Sequence, residues 1–82
     1  MKYELYNEIV FNQDIAEYSI KKGDIGTLID YYSSPDSGME DGYSVEIFDV
    51  FGNTINVVSI PESKISKLKQ NSVLSARELE FV

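Results

Sequence analysis

Lys21-Lys22-Gly23-Asp24-Ile25-Gly26-Thr27-Leu28-Ile29-Asp30-Tyr31-Tyr32 decides the fold. Gly23 reaches positive φ without steric cost, and Asp24 favours a turn because its carboxylate bonds nearby backbone amides. The turn feeds a run of β-branched and aromatic residues, which suit a pleated, half-buried surface. Gly26 stands at the mouth of that run, where a glycine marks a bulge or a close approach of another backbone. A loop, a Gly-x-x-Gly turn and a strongly curving strand over about 25–33 predict a small SH3-like barrel. The same Gly-x-x-Gly spacing also occurs where a loop clamps a nucleic acid backbone. Here Asp24 and Asp30 would repel phosphate, so the glycines are read as serving the backbone.

Outward from this stretch, the period-2 alternation of the other strands agrees. Tyr3, Leu5, Ile9 and Phe11 alternate with polar residues, and a first strand is expected over Glu8 to Phe11. Residues 12–24 form a long loop, pinned by Ile15 and Ile20 in the core. Ser33 to Gly42 is a Ser-, Pro-, Asp- and Gly-rich loop in which Met39 is exposed. Tyr43 to Phe48 and Thr54 to Ile60 are the third and fourth strands. The turn between them takes its positive-φ positions from Gly52-Asn53. Pro61 opens a single 3₁₀ turn, and Ile65 to Leu68 is the fifth strand. The fold class is therefore all-β, a barrel over residues 1–68 with a C-terminal extension over 69–82. Leu79 and Phe81 alternate with Glu78 and Glu80, which predicts an extra strand near 76–81.

Composition narrows the chemistry. A chain of 82 residues makes one small domain, with a core that buries roughly 60–65% of the unfolded surface. It has no cysteine for a disulfide or thiolate metal site and no histidine, the commonest general base. Met1-Lys2-Tyr3-Glu4 runs straight into patterned sequence, so no signal peptide is expected, and no apolar run reaches the ~18 residues a membrane span needs. A cytoplasmic protein is expected. Catalysis would fall to carboxylates, Lys, Tyr or Ser, a carboxylate pair drawn from Asp24, Asp30, Glu46 and Asp49 among them. An enzyme is not expected, because so short a chain has little room for a pocket of ~300 Å³. No cofactor and no metal are expected either.

The charge is the strongest functional signal. The net charge is −7, and Asp24, Asp30, Asp36, Glu40, Asp41, Glu46, Asp49 and Glu62 follow one another without an intervening base. Duplex nucleic acid needs its phosphates neutralised by Lys and Arg, so direct binding is disfavoured. An acidic surface attracts basic partners and speeds their association.

The strings Tyr6-Asn7-Glu8-Ile9-Val10, Asp14 to Leu28, Tyr43 to Phe48 and Gly52 to Ser63 together resemble domain-of-unknown-function family 4926, a family of short bacterial domains. The resemblance spans residues 5–68. It implies an SH3-like barrel and carries no catalytic motif. Such domains are often encoded beside toxin genes, which implies an antitoxin or immunity role.

The expected function is thus a non-enzymatic acidic binding protein that occludes the basic cleft of a nuclease-like toxin. Its contact residues are read as Asp30, Tyr32, Glu40, Asp41, Glu46 and Asp49, with Tyr31, Tyr32 or Phe51 as aromatic anchors. Tyr3 and Tyr43 are assigned to core packing. The alternative is an SH3-like adaptor, its peptide groove built from Tyr18, Tyr31 and Tyr32. Exposed strand edges also leave a homodimer open.

Overall fold

Alternating apolar residues divide into an inner and an outer row along each strand, and the inner rows meet in one core. The computed structural model describes residues 2–35 and 38–79. Its five strands are β1 (Glu8–Phe11), β2 (Ile25–Tyr32), β3 (Gly42–Phe48), β4 (Thr54–Pro61) and β5 (Ile65–Lys67). They form one antiparallel sheet in the order β4-β3-β2-β1-β5. A 3₁₀ turn over Glu62–Lys64 precedes β5, as expected. A second 3₁₀ turn, Ala16–Tyr18, lies in the β1–β2 loop and was not foreseen. There is no α-helix among the described residues, and no helix long and apolar enough to cross a membrane.

Both edge strands feed the same core. Val58 and Ile60 from β4 and Ile65 from β5 join Ile9, Phe11, Leu28, Tyr43 and Val45 in one buried cluster. A single sheet whose two edges share a core must curl around it, the barrel-like solution to burying one face. The long β1–β2 loop is tied to that core as expected. Ile15 and Ile20 are both buried and exchange backbone hydrogen bonds of 2.9 and 3.1 Å. Three donor contacts from the Asn12 side chain, to the Ser63 and Ile65 carbonyls and Ser66 Oγ, staple the end of β1 to the β5 side.

Gly23 has φ +96° and reverses the chain, as its residue type requires. Gly26 marks a close approach, and the bulge lies further on. The β2–β3 register shifts between Leu28 and Asp30, leaving Ile29 without an opposite residue. That extra residue inverts the inside-outside parity, so Leu28 and Tyr31 face the core while Asp30 and Tyr32 are exposed. In the β3–β4 turn Gly52 alone takes positive φ, at +87°, and Asn53 does not share that role.

The segment after β5 departs from the expected extra strand. Residues 73–79 carry no regular structure, and residues 80–82 lie outside the described residues. Arg77 dominates its conformation instead. The guanidinium grips the Asp24 carboxylate through two donors, with Nε 2.8 Å from Oδ1, and also donates to the Ser19 carbonyl at 2.8 Å. A bidentate contact across the fold overrides a weak local alternation.

Candidate functional site

The six acidic and aromatic positions singled out by sequence fall in three places. Asp30, Tyr32 and Glu46 share the outer face of the sheet. Glu40 and Asp41 stand at the corner where the β2–β3 loop enters β3. Asp49 occupies the β3–β4 turn at the opposite end of β3. Asp36 lies outside the described residues.

The outer face follows from strand parity. Tyr43, Val45 and Ile47 point inward, so Ser44, Glu46 and Phe48 project outward. Asp30 pairs with Ser44, and Val57 of β4 pairs with Glu46. The Tyr32 hydroxyl bonds Ser44 Oγ, the Thr54 hydroxyl donates to Glu46, and the Asp30 carboxylate accepts the Tyr31 N–H at 2.8 Å. Tyr32, Phe48 and Val57 remain 47%, 40% and 47% exposed. The face therefore holds two carboxylates fixed by neutral donors and framed by three half-exposed apolar groups.

The corner acids brace the frame. Glu40 accepts the Ser63 N–H at 2.7 Å and the Ser63 hydroxyl at 3.0 Å, which caps the 3₁₀ turn before β5. Asp41 accepts the Tyr31 hydroxyl and the Ser34 N–H, and these donors hold its carboxyl below the ordinary value. The same Asp41 bond, aided by burial, pushes the Tyr31 phenol up. Burial first, and then its bond to Glu62, raises the Tyr43 phenol.

Asp49 is a turn residue. Its carboxylate accepts the N–H groups of Asn53 and Phe51, both at 2.9 Å. The Asn53 donor leads in holding its carboxyl below the ordinary value. By shaping the turn, Asp49 presents Val50 and Phe51 to solvent at 90% and 86% exposure. An Asp placed four residues before Asn in a Gly-containing turn is a sequence signal for this role.

The three tyrosines of the expected peptide groove do not share a face. Tyr18 and Tyr31 pack on the core cluster, whereas Tyr32 is on the outside. Consecutive strand residues such as Tyr31 and Tyr32 point to opposite sides of the sheet. Val57, Phe48 and the exposed Tyr6 were missed by sequence reading. Val57 precedes Val58 and Phe48 follows Ile47, and in such apolar pairs the sequence does not say which member is outside.

Asp24 takes part in the only ion pair among the described residues. Burial pushes its carboxyl up, but Arg77 and the Lys21 N–H outweigh that and hold it below the ordinary value. Asp30, Glu40, Asp41, Glu46 and Asp49 have no basic partner among the described residues. No three side chains there converge as metal ligands.

These features define a small all-β, barrel-like domain with an acidic, partly apolar outer face. The chain belongs to the family described as a domain of unknown function (DUF4926), whose model matches residues 5–67. No curated protein and no solved structure matches it.

Proposed function

We infer that this chain is a non-catalytic, cytoplasmic binding protein, an immunity protein or antitoxin that covers the basic cleft of a nuclease-like toxin. The observation that carries this reading is the outer face. Asp30 and Glu46 are fixed there with no basic partner among the described residues, amid Tyr32, Phe48 and Val57. A cleft evolved to hold phosphate presents Lys and Arg at close spacing. Carboxylates held in place by Thr54 and the Tyr31 N–H meet such a cleft with little further ordering cost. Unopposed charge steers the encounter, and the apolar groups supply a centre that excludes water. Glu40, Asp41 and Asp49 add to the negative field while bracing the loops. The partition of Tyr18, Tyr31 and Tyr32 between two faces gives the adaptor reading no comparable support.

Co-purification of the tagged chain with the product of its neighbouring gene, at low and high salt, tests the reading. A one-to-one complex with a basic nuclease-like protein, weakened by salt and silencing its activity, is expected. A complex that is salt-insensitive, or a partner with no basic cleft, would overturn it.

A further inference from the structure

The two edges of the sheet are finished differently. β5 has three residues, with Lys67 exposed in it and Lys64 and Lys69 on either side. A short, lysine-bearing edge is one way in which proteins keep a strand from pairing with another chain. β4, the other edge, runs eight residues from Thr54 to Pro61 without a charged side chain, in a chain of net charge −7.

Hydrogen bonding locates the free backbone of that edge. The Val57 N–H donates to Asn56 Oδ1 at 2.9 Å, so it points away from β3. Backbone direction alternates along an antiparallel strand, so Ser59 also presents its N–H and carbonyl at the edge, while Val58 and Ile60 face β3. Ile55 is bulged, with no opposite residue on β3, and Pro61 has no N–H. A second copy of β4, antiparallel and centred on Val58, pairs Val57 with the partner's Ser59 and Ser59 with the partner's Val57. Each such pair exchanges both of its hydrogen bonds. Centring on Val57 would set Ser59 against the bulge, and centring on Ser59 would set Val57 against proline.

The same two-fold joins exposed features that β4 separates within one chain. At its start the β3–β4 turn holds Val50 and Phe51 in water. At its end Pro61 borders an open cleft of about 620 Å³, with Pro35 and the exposed Met39 on its walls. Antiparallel pairing sets the start of one β4 beside the end of the other, so each copy's turn comes to the other's cleft. A foreign strand would cover the edge and leave the turn in water. Like charge does not forbid the pairing. Glu46, which pairs with Val57, stands about three strand spacings, ~14 Å, from the partner's Glu46. That exceeds the Debye length of about 8 Å at physiological ionic strength.

We propose that the chain forms a two-fold dimer through β4, with Val57 against the partner's Ser59 and the β3–β4 turn of each copy packed at the Met39 cleft of the other. The Asn56 side chain gives up the Val57 N–H when the strands meet. Strand parity then puts both outer faces on the same side of the joined sheet.

The test is sedimentation equilibrium of the full chain from about 5 µM to about 500 µM. The mass should climb from 9.3 kDa toward twice that value. Val57→Lys puts a charge on the edge and should stay monomeric throughout, with an unchanged circular dichroism spectrum showing that the fold is kept. Phe51→Ser, at an exposed turn position, should weaken the dimer about tenfold. In hydrogen exchange the Ser59 amide should be about tenfold slower at the top of the concentration range than at the bottom. A monomer at every concentration, a dimer that Val57→Lys or Phe51→Ser leaves intact, or assemblies larger than a dimer would each overturn the proposal. If an extended strand of another protein is the true occupant of the edge, the first of these outcomes appears. None of them bears on Asp30 and Glu46, whose test needs a basic partner and reads salt dependence.

Discussion

Gly26 faces Val45 across the β2–β3 ladder so closely that a β-carbon on Gly26 would lie 2.3 Å from Val45 Cγ1. The Glu46 carbonyl would lie 3.3 Å from the same carbon. The glycine is needed for space: its φ is not in the left-handed region. Gly26→Ala should therefore destabilise the fold by about 1–3 kcal/mol through overpacking. Val45→Ala removes the clashing atom, so the double variant should be less destabilised than the sum of the two singles. Urea unfolding of the four proteins checks this. Simple additivity would mean that Val45 is not what excludes a side chain at Gly26.

A second buried relationship sits at the other end of β3. The Tyr43 hydroxyl accepts the Tyr3 N–H at 3.0 Å and donates to Glu62 at 3.1 Å. Tyr43→Phe keeps the ring contacts with Tyr3 and Tyr31 but strands the Tyr3 N–H in a buried place. The expected loss is about 1–3 kcal/mol, read as a lower urea midpoint with an unchanged slope. A Phe variant as stable as the wild type would show that water replaces the hydroxyl at no cost.

Stability should have a plateau bounded on both sides. Asp24, Asp41 and Asp49 have lowered values in the fold. A carboxyl lowered by folding binds fewer protons in the native state. Its contribution is complete above the unfolded value and disappears as pH falls through the native one. Tyr31 and Tyr43 are raised above the ordinary phenol value of 10.0. Their contribution is complete below that value and disappears as pH rises through the native one. The urea midpoint should be flat between about pH 5 and 9 and fall outside that window. Asp41→Asn should flatten both limbs, since Asp41 is lowered by Tyr31 and raises Tyr31 in return. Unchanged limbs in that variant would remove the Tyr31–Asp41 bond from the account.

Much of the frame is legible in the sequence because it is local. Glu8 to Phe11 and Tyr43 to Ile60 announce themselves by alternation, and Gly23 by its turn. The bulge at Ile29 is not legible, since Leu28 and Ile29 are both apolar and either could face inward. It nonetheless decides the site, because it places Asp30 and Tyr32 outside. The acids were legible as residues, but their distribution over a face, a corner and a turn depends on pairing between distant strands. The Arg77–Asp24 contact joins positions 53 apart, and no periodicity encodes it.

The outer face yields the prediction closest to function. Asp30→Asn and Glu46→Gln remove charge while keeping the oxygens that accept from Tyr31 and Thr54. The double variant should unfold at the wild-type urea concentration, because neither acid has an ion-pair partner among the described residues. With a basic toxin partner, its association rate at low salt should fall about tenfold, and its salt dependence should flatten. At about 1 M salt the Debye length is near 3 Å, so the rates of variant and wild type should converge. Stopped-flow association across a salt series separates this from lost packing, which would speed dissociation at every salt. A variant whose association rate and salt slope match the wild type would remove Asp30 and Glu46 from the encounter. The electrostatic attraction would then rest on the remaining acids, Glu40, Asp41 and Asp49 among them.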